Sequence, residues 1–340
     1  VLPESAPSMV ALFAQLVRNP AFSDSALERL KENAIRRLNT QSSQAALLAS
    51  ARANAILFPG NPADRRPTEA GIRQLTRNEI VAFHSKYYVP QRAQLYVAGT
   101  FDGKSVERAA RSAFETWARG VGQSFVLPAG FSATGQEREG RPLIHLIDRP
   151  GSTQARVQIS FPVVDQPHAD LSVLNEINMV MGSTQTARII ANVRERHGYS
   201  YNVSSRLARR PGSTQWVVSG DMTNSVVGAS IREILSEISR LPAEPPDSVE
   251  LGGFQSFMAG ILISENSTAQ GIIDMLRLLD LYGMNRSYLQ TFVGSVYDVS
   301  GKDIQRVARK YLQPASAVIV VVGDRNAILS QLAEIGEVVD

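Results

Sequence analysis

Catalysis and binding need side chains that ligate metals, attack carbons or hold charge, and this sequence uses them sparingly. Its four histidines, His84, His145, His168 and His197, stand 61, 23 and 29 residues apart. Two metal ligands on one helix face need a spacing of three or four. That distribution points to packing and surface roles for all four. There is no cysteine, which excludes disulfides, thiol nucleophiles and thiolate metal sites within this chain. No Gly-x-x-x-x-Gly-Lys run offers a phosphate cradle, and in the turn Met181–Thr186 only Gly182 is glycine. Arg194 and Tyr201, seven residues apart, fall in the last turn of an expected helix and just inside the strand after it. A cation complements a helix C-terminus and a tyrosine suits a strand, so local rules alone leave their role open.

The elements that position this pair begin with two strands, His145–Asp148 and Ala155–Phe161. In the second, Ala155, Val157, Ile159 and Phe161 alternate with Arg156, Gln158 and Ser160, as a sheet with one buried face requires. Helices are expected over Leu171–Met181 and Thr186–His197, the latter stopped by Gly198. Strands are expected over Tyr199–Leu207 and Thr214–Ser219, joined by a turn around Pro211-Gly212. Helices follow, with Val227, Ile231, Ile234, Leu235 and Ile238 on one face. Strands, then a run of helices, then one more strand predict an α+β fold, a mixed or antiparallel sheet covered on one face by helices.

The sequence also repeats itself. Leu75–Pro90 reappears as Val299–Pro314 without a gap, pairing Ile80 with Ile304, Lys86 with Lys310, Tyr87 with Tyr311, Pro90 with Pro314, Val97 with Val321 and Gly99 with Gly323, all at an offset of 224. Each copy reads as an amphipathic helix ended near a proline, an apolar strand (Gln94–Ala98; Ala317–Val322) and a glycine turn into another helix. Two homologous domains are expected. Residues 1–127 form the first, 128–141 a linker carrying Gly130, Gly135 and Gly140, and 142–340 the second. By the offset, the first copy lacks the counterpart of Pro142–Met222, about 80 residues.

Composition narrows the class. With 340 residues, 44% hydrophobic and 20% charged, the chain can build sizeable cores. Its 35 basic and 32 acidic residues give a formal charge of +3, a mixed surface that does not imply nucleic acid. The longest strong apolar run, Ala317–Val322, is far short of the roughly 18 residues of a membrane span. No basic-then-apolar signal pattern opens the chain, though a cleaved signal would leave the same absence.

Several segments together resemble the M16 (insulinase/pitrilysin-like) zinc metallopeptidase family, of the M16B type. They are Asn19–Glu32, Phe58-Pro-Gly-Asn-Pro62 leading into Leu75–Gly99, Asp148–Ala155 and, most specific, Val193–Asn202. The resemblance implies two double-domain halves closing around a peptide, with a His-x-x-Glu-His motif and a distant glutamate holding zinc in one half. Counted from Phe22, the distant ligand's position falls on Arg37 and its supporting glutamate's on Leu30. A guanidinium that stays charged cannot ligate zinc. No metal site and no catalytic zinc or base residue is therefore expected in this chain, and no activity from it alone. Arg194 and Tyr201 match the arginine and tyrosine that the family uses to hold the scissile carbonyl. The resemblance thus implies a substrate-binding, non-catalytic subunit of a heterodimeric bacterial peptidase. A partner subunit carrying His-x-x-Glu-His and Zn²⁺ is expected, as is a peptide added as a strand to a sheet edge. A periplasmic location suits a cysteine-free member. The single glycine of Met181–Thr186 differs from the long glycine-rich loop of mitochondrial processing-peptidase α subunits. The alternatives are a piece of a catalytic M16 enzyme and a non-enzymatic scaffold like the respiratory-complex core proteins.

Overall fold

The structure is a computed structural model describing residues 2–61, 66–120, 142–165, 167–210 and 212–340. The expected linker, 128–141, and Pro211 lie outside the described residues. Along the chain run α1 (Ala6–Arg18), α2 (Asp24–Ser42), α3 (Ala45–Leu57), α4 (Glu69–Gln74), α5 (Arg77–Tyr87), α6 (Gly103–Phe114), β1 (Leu143–Asp148), β2 (Gln154–Pro162), α7 (Asp170–Asn178) and α8 (Arg188–Ile190). They are followed by β3 (Ser204–Ala208), β4 (Gln215–Thr223), α9 (Val227–Arg240), α10 (Ser248–Asn266), α11 (Ala269–Leu281), α12 (Tyr288–Tyr297), α13 (Gly301–Tyr311), β5 (Val318–Gly323), α14 (Arg325–Ala333) and β6 (Glu337–Val339). Packing divides the chain into two compact units, one of Val1–Gln41, Arg66–Val126 and Asn266–Arg277, the other of Ser42–Arg65, Leu127–Glu265 and Leu278–Asp340. The division by packing therefore does not follow the order of the chain.

In the first unit α1 packs on α6, and Arg18 donates from Nη2 to the Thr116 hydroxyl at 2.8 Å. α5 opens with a capping box: the Thr76 hydroxyl accepts from the Glu79 amide at 3.3 Å, and the Glu79 carboxylate accepts from the Thr76 amide at 2.7 Å. Its counterpart 224 residues on does the same, with Ser300 and Asp303 opening α13 at 3.3 and 3.1 Å. The expected strand Gln94–Ala98 is not part of any ladder among the described residues. A strand is defined by the neighbour that takes its backbone groups, and the described part of this unit supplies none, so Leu95 and Val97 stay exposed.

The second unit is the α+β arrangement expected. Its six strands run in the order β3-β4-β2-β5-β1-β6. β1 pairs parallel with β5 and β6, and the other pairs are antiparallel, a mixed sheet. Alternation puts Ala155, Val157, Ile159 and Phe161 beneath the helical layer with Trp216, Val218, Met222, Ile319 and Val321, in a core closed by α7, α9, α13 and α14. At ~25 cal/mol per Å² of apolar surface, this burial dominates the unit's stability.

The other face departs from the expectation for Gln158 and Ser160. They are buried, because α3 lies across β2 and β5 and sets Ala49 and Ala53 against Val320 and Val322. Most of the polar groups trapped there are paired, as burial demands, and Gln215 Oε1 is an exception. Ser50 donates to Gln158 Oε1 at 2.9 Å, Gln158 Nε2 to the Ser160 hydroxyl at 3.1 Å, and Gln215 Nε2 to Asn54 Oδ1 at 2.6 Å. The small residues of α3 are what let a helix approach a sheet face carrying such groups.

Two carboxylates in α7 have opposite fates. Burial works against ionisation of Asp170, but hydrogen bonds from Arg306 (2.8 Å), Tyr311 (2.9 Å) and Lys310 (3.2 Å) outweigh it and hold its pKa at about 2, tying α7 to α13. Glu176 is fully buried with no hydrogen-bond partner on either oxygen, and burial pushes its pKa from the ordinary 4.5 up to about 7. Since the folded value lies above the unfolded one, the native state keeps a proton that the unfolded chain loses between these values. Stability from this group is full below about pH 4.5 and falls as the pH rises through 7. Glu176→Gln should therefore match the wild type at pH 4 and exceed it by up to about 3 kcal/mol at pH 8. Urea unfolding at both pH values measures this, and a difference that does not change with pH would refute it.

Candidate functional site

Each of the two expected helices around Gly182 ends in a widened turn. α7 continues as a π-helical segment over Met179–Ser183, kinked at the non-helical Gly182 (φ −168°), and α8 as another over Ala191–Arg196. The expectation of two plain α-helices over Leu171–Met181 and Thr186–His197 is corrected to this extent. A π-turn carries one extra residue and re-aims the side chains after it. The first brings Gly182 against β3, where a Cβ would lie 2.8 Å from the Ser205 amide nitrogen; only glycine fits there. The second closes through Gly198 at φ +66°, as its sequence position predicted. His197 donates to the Asn192 carbonyl at 3.1 Å, one residue wider than the closure of an α-helix, and Tyr199 donates to the Val193 carbonyl at 2.9 Å, two residues wider.

Arg194 leaves this widened turn with its guanidinium fixed from several sides. Nη1 donates to Gln185 Oε1 at 2.8 Å, and Nε lies 3.2 Å from the Glu195 carboxylate. The guanidinium carbon sits 4.5 Å from the centroid of the Tyr201 ring, within cation–π range. The structure thus brings Arg194 and Tyr201 together. It differs from expectation over the strand: β3 starts at Ser204, so Tyr201 stands in the preceding loop and is 82% exposed. The cause is side-chain competition for the ladder. Asn202 Oδ1 accepts from the Asp221 amide at 2.8 Å, and the Ser200 hydroxyl donates to the Asp221 carbonyl at 2.9 Å. The Asp221 backbone is thereby taken before a strand at Asn202 could use it. Asn202 Nδ2 (2.6 Å) and Arg156 Nη1 (3.3 Å) also donate to the Asp221 carboxylate.

Arg194 and Tyr201 line a cavity of about 360 Å³ with Gly182, Gln185 and Ser204. It opens at the start of β3, an outer strand of the sheet. The residues that reading the sequence missed are Gln185, Ser200, Asn202 and Asp221. Gln185 lay in a turn weighed only for its glycine content, and Ser200 and Asn202 lay inside the Val193–Asn202 segment.

The histidines all have local partners. His84 Nε2 lies 2.8 Å from the Val17 carbonyl and His145 Nδ1 lies 3.3 Å from Arg52. His168 Nδ1 accepts from the Asp170 amide at 2.9 Å, and His197 Nδ1 lies 2.9 Å from Asn192 Oδ1. Among the described residues no three of His, Asp and Glu converge as a metal would need, and no helix is long and apolar enough to cross a membrane. Leu30 and Arg37, seven residues apart, share one exposed face of α2. One has no lone pair and the other only donors, so the residues at this position do not fit zinc.

The fold defines a chain of the α+β class, a mixed six-stranded sheet layered with helices. The profile described as Peptidase M16 inactive domain matches residues 74–253, more than half of the sequence, and the chain belongs to the M16 peptidase family. An uncharacterized zinc protease of Mycobacterium bovis is 25% identical over 351 residues, covering 98% of this chain and 76% of that protein. The structure of a peptidase M16 inactive domain from Pseudomonas fluorescens superposes with a TM-score of 0.81 at 19% identity, covering 93% of this chain and 74% of that one. A protease from Helicobacter pylori does so with a TM-score of 0.84 at 14% identity, covering 94% and 77%.

The positioning of Tyr201 rests on Asn202. Asn202→Ala leaves the Asp221 amide without its acceptor and should cost about 1 kcal/mol. Asn202→Asp keeps an acceptor but places a second carboxylate against Asp221, and should cost at least as much. Urea midpoints equal to wild type in both variants would show that these contacts do not hold the loop.

Proposed function

We propose that this chain is the substrate-holding, non-catalytic subunit of a two-subunit M16 zinc peptidase. The observation that carries the reading is the Arg194 guanidinium stacked 4.5 Å over Tyr201 while Gln185 holds its Nη1. Two of the five guanidinium N–H groups are engaged by Gln185 and Glu195, and Nη2 has no partner among the described residues. Both side chains line the cavity, so the pair offers it charged N–H donors and a phenolic O–H. A peptide carbonyl oxygen placed there is held by charge-assisted hydrogen bonds, which strengthen as negative charge builds on it. Because the donors are fixed before the substrate arrives, little reorganisation is needed at the moment of reaction.

The position of the cavity supports the rest. An extended peptide entering beside Ser204 and Ser205 meets an outer strand, whose backbone can add it as a further strand with little demand on its sequence. The face of α2 bearing Leu30 and Arg37 offers no metal donor, so metal and base are assigned to a partner subunit carrying His-x-x-Glu-His. The hydrolytic centre is then shared: the partner does the bond-breaking chemistry, and this chain orients the carbonyl.

Zinc content and peptide hydrolysis, measured on this chain alone and with its co-purifying partner, test the assignment. Activity is expected only in the mixture. Arg194→Ala should lower its kcat by roughly 10²-fold, as removal of one oxyanion donor does, and Tyr201→Phe should lower it by less. One zinc per chain with hydrolysis by this chain alone would overturn the proposal, as would an unchanged kcat in the Arg194→Ala, Tyr201→Phe double variant.

A further inference from the structure

A second cavity adjoins the first. About 620 Å³ in volume, it lies between the loop at Thr184–Thr186 and α10, and Thr184 and Gln185 line both cavities. Its far wall is apolar: Val249, Gly253 and Phe257 recur every four residues and so form one stripe of α10, with Phe254 beside them. Val249 is 83% and Phe257 54% exposed, although residues of these types are ordinarily buried. Gly253 sits between them, and a Cβ there would meet nothing within 4 Å, so the stripe has a notch at its centre.

The charge at the rim is already spent. The Glu250 carboxylate is bound by both Arg188 Nε (2.8 Å) and Nη2 (2.6 Å), while Arg188 Nη1 donates to the Glu244 carbonyl at 2.7 Å. A bidentate pair of this kind leaves Glu250 little attraction for a lysine or arginine entering the cavity. Nor does the lining hold a cation that would attract an acidic side chain. What remains is apolar surface, a notch and a route to Arg194 through Gln185.

We infer that this cavity is the side-chain pocket of the same site, and that it takes an aromatic or large aliphatic side chain of the peptide whose carbonyl Arg194 and Tyr201 hold. The inference rests on the proposed function. It adds a preference that strand addition alone does not supply: backbone hydrogen bonds give affinity, and a pocket beside the strand selects among side chains. Val249, Phe254 and Phe257 are the specificity-determining residues, and Gly253 sets the depth.

Fluorescein-labelled octapeptides of alanine and serine, with one central Phe, Lys or Glu or with none, provide the test, since a sequence-tolerant strand can slide until its single large side chain finds the pocket. Anisotropy titration of the wild-type chain, with its partner present, should show about tenfold tighter binding for the Phe peptide than for the plain one, as expected for burying part of a phenyl ring, and no gain for Lys or Glu. Gly253→Leu fills the notch at an exposed helix position and replaces a poor helix former. It should abolish the gain and leave the plain peptide's affinity unchanged. Phe257→Ser, made independently, should do the same. Arg194→Ala should weaken all four peptides alike. Equal binding of the Phe and plain peptides by wild type, with both weakened by Arg194→Ala, overturns the pocket and spares the carbonyl-holding reading. A Phe gain that survives both Gly253→Leu and Phe257→Ser overturns the pocket's location. No dependence of any peptide on Arg194 overturns the reading on which the inference rests.

Discussion

The site depends on where one ladder stops. β3 and β4 pair only as far as Ser204 opposite Ser219, because the backbone amide and carbonyl of Asp221 are already satisfied by the side chains of Asn202 and Ser200. A backbone group bonded by a side chain is lost to the ladder, so the chain between Gly198 and Ser204 is released from the sheet while remaining tied to it. Had the ladder continued, alternation would have fixed Tyr201 on one sheet face. Released, Tyr201 stands beneath the Arg194 guanidinium. Val203 is still held close, since a Cβ on Gly220 would meet its Cα at 3.0 Å.

The two π segments complete the placement. One widened turn lies directly before the Thr184–Ala187 connection and brings Gly182 onto Ser205, and the other lies beyond α8 and carries Arg194. The first is held down by a side-chain hub: Asn178 Oδ1 accepts from the Ser205 hydroxyl at 2.8 Å and from Trp216 Nε1 at 3.1 Å. The buried Trp216 therefore serves both the core and the site. Widened turns give up regular helical bonding locally, and here the side-chain bonds at their ends supply what the helix gives up.

The scaffold was legible wherever periodicity carried it. The alternation of Ala155–Phe161, the apolar run at Ala317–Val322 and the glycine after His197 all marked elements that the structure contains. The 224-residue repeat extends down to matching capping boxes at Thr76 and Ser300. The pair Arg194 and Tyr201 was visible only through a resemblance, since each residue also satisfies an ordinary local rule. Three things were not legible. A π-turn leaves no mark in hydrophobic spacing. The start of β3 turns on hydrogen bonds from Ser200 and Asn202, residues that read equally well as strand or turn. The burial of Gln158 and Ser160 is a long-range event, because α3 comes from more than 100 residues earlier and nothing in the local alternation announces a second layer.

Residues that keep the fold and residues that would do metal chemistry are separable in this chain. The capping boxes at Thr76 and Ser300 and the core beneath β2 are bound into backbone satisfaction and packing, where a change of type costs stability. Leu30 and Arg37 stand on an exposed face of α2, where most residue types are tolerated within about 0.5 kcal/mol. Folding therefore does not dictate what occupies that face. The same helix would carry two carboxylates as readily as it carries an isobutyl group and a guanidinium. The side chains present there have no acceptor for a divalent cation, whereas the Arg194 and Tyr201 donors remain arranged around one cavity. The arrangement of Arg194 and Tyr201 and the residue types on the exposed face of α2 are thus independent of each other on this scaffold.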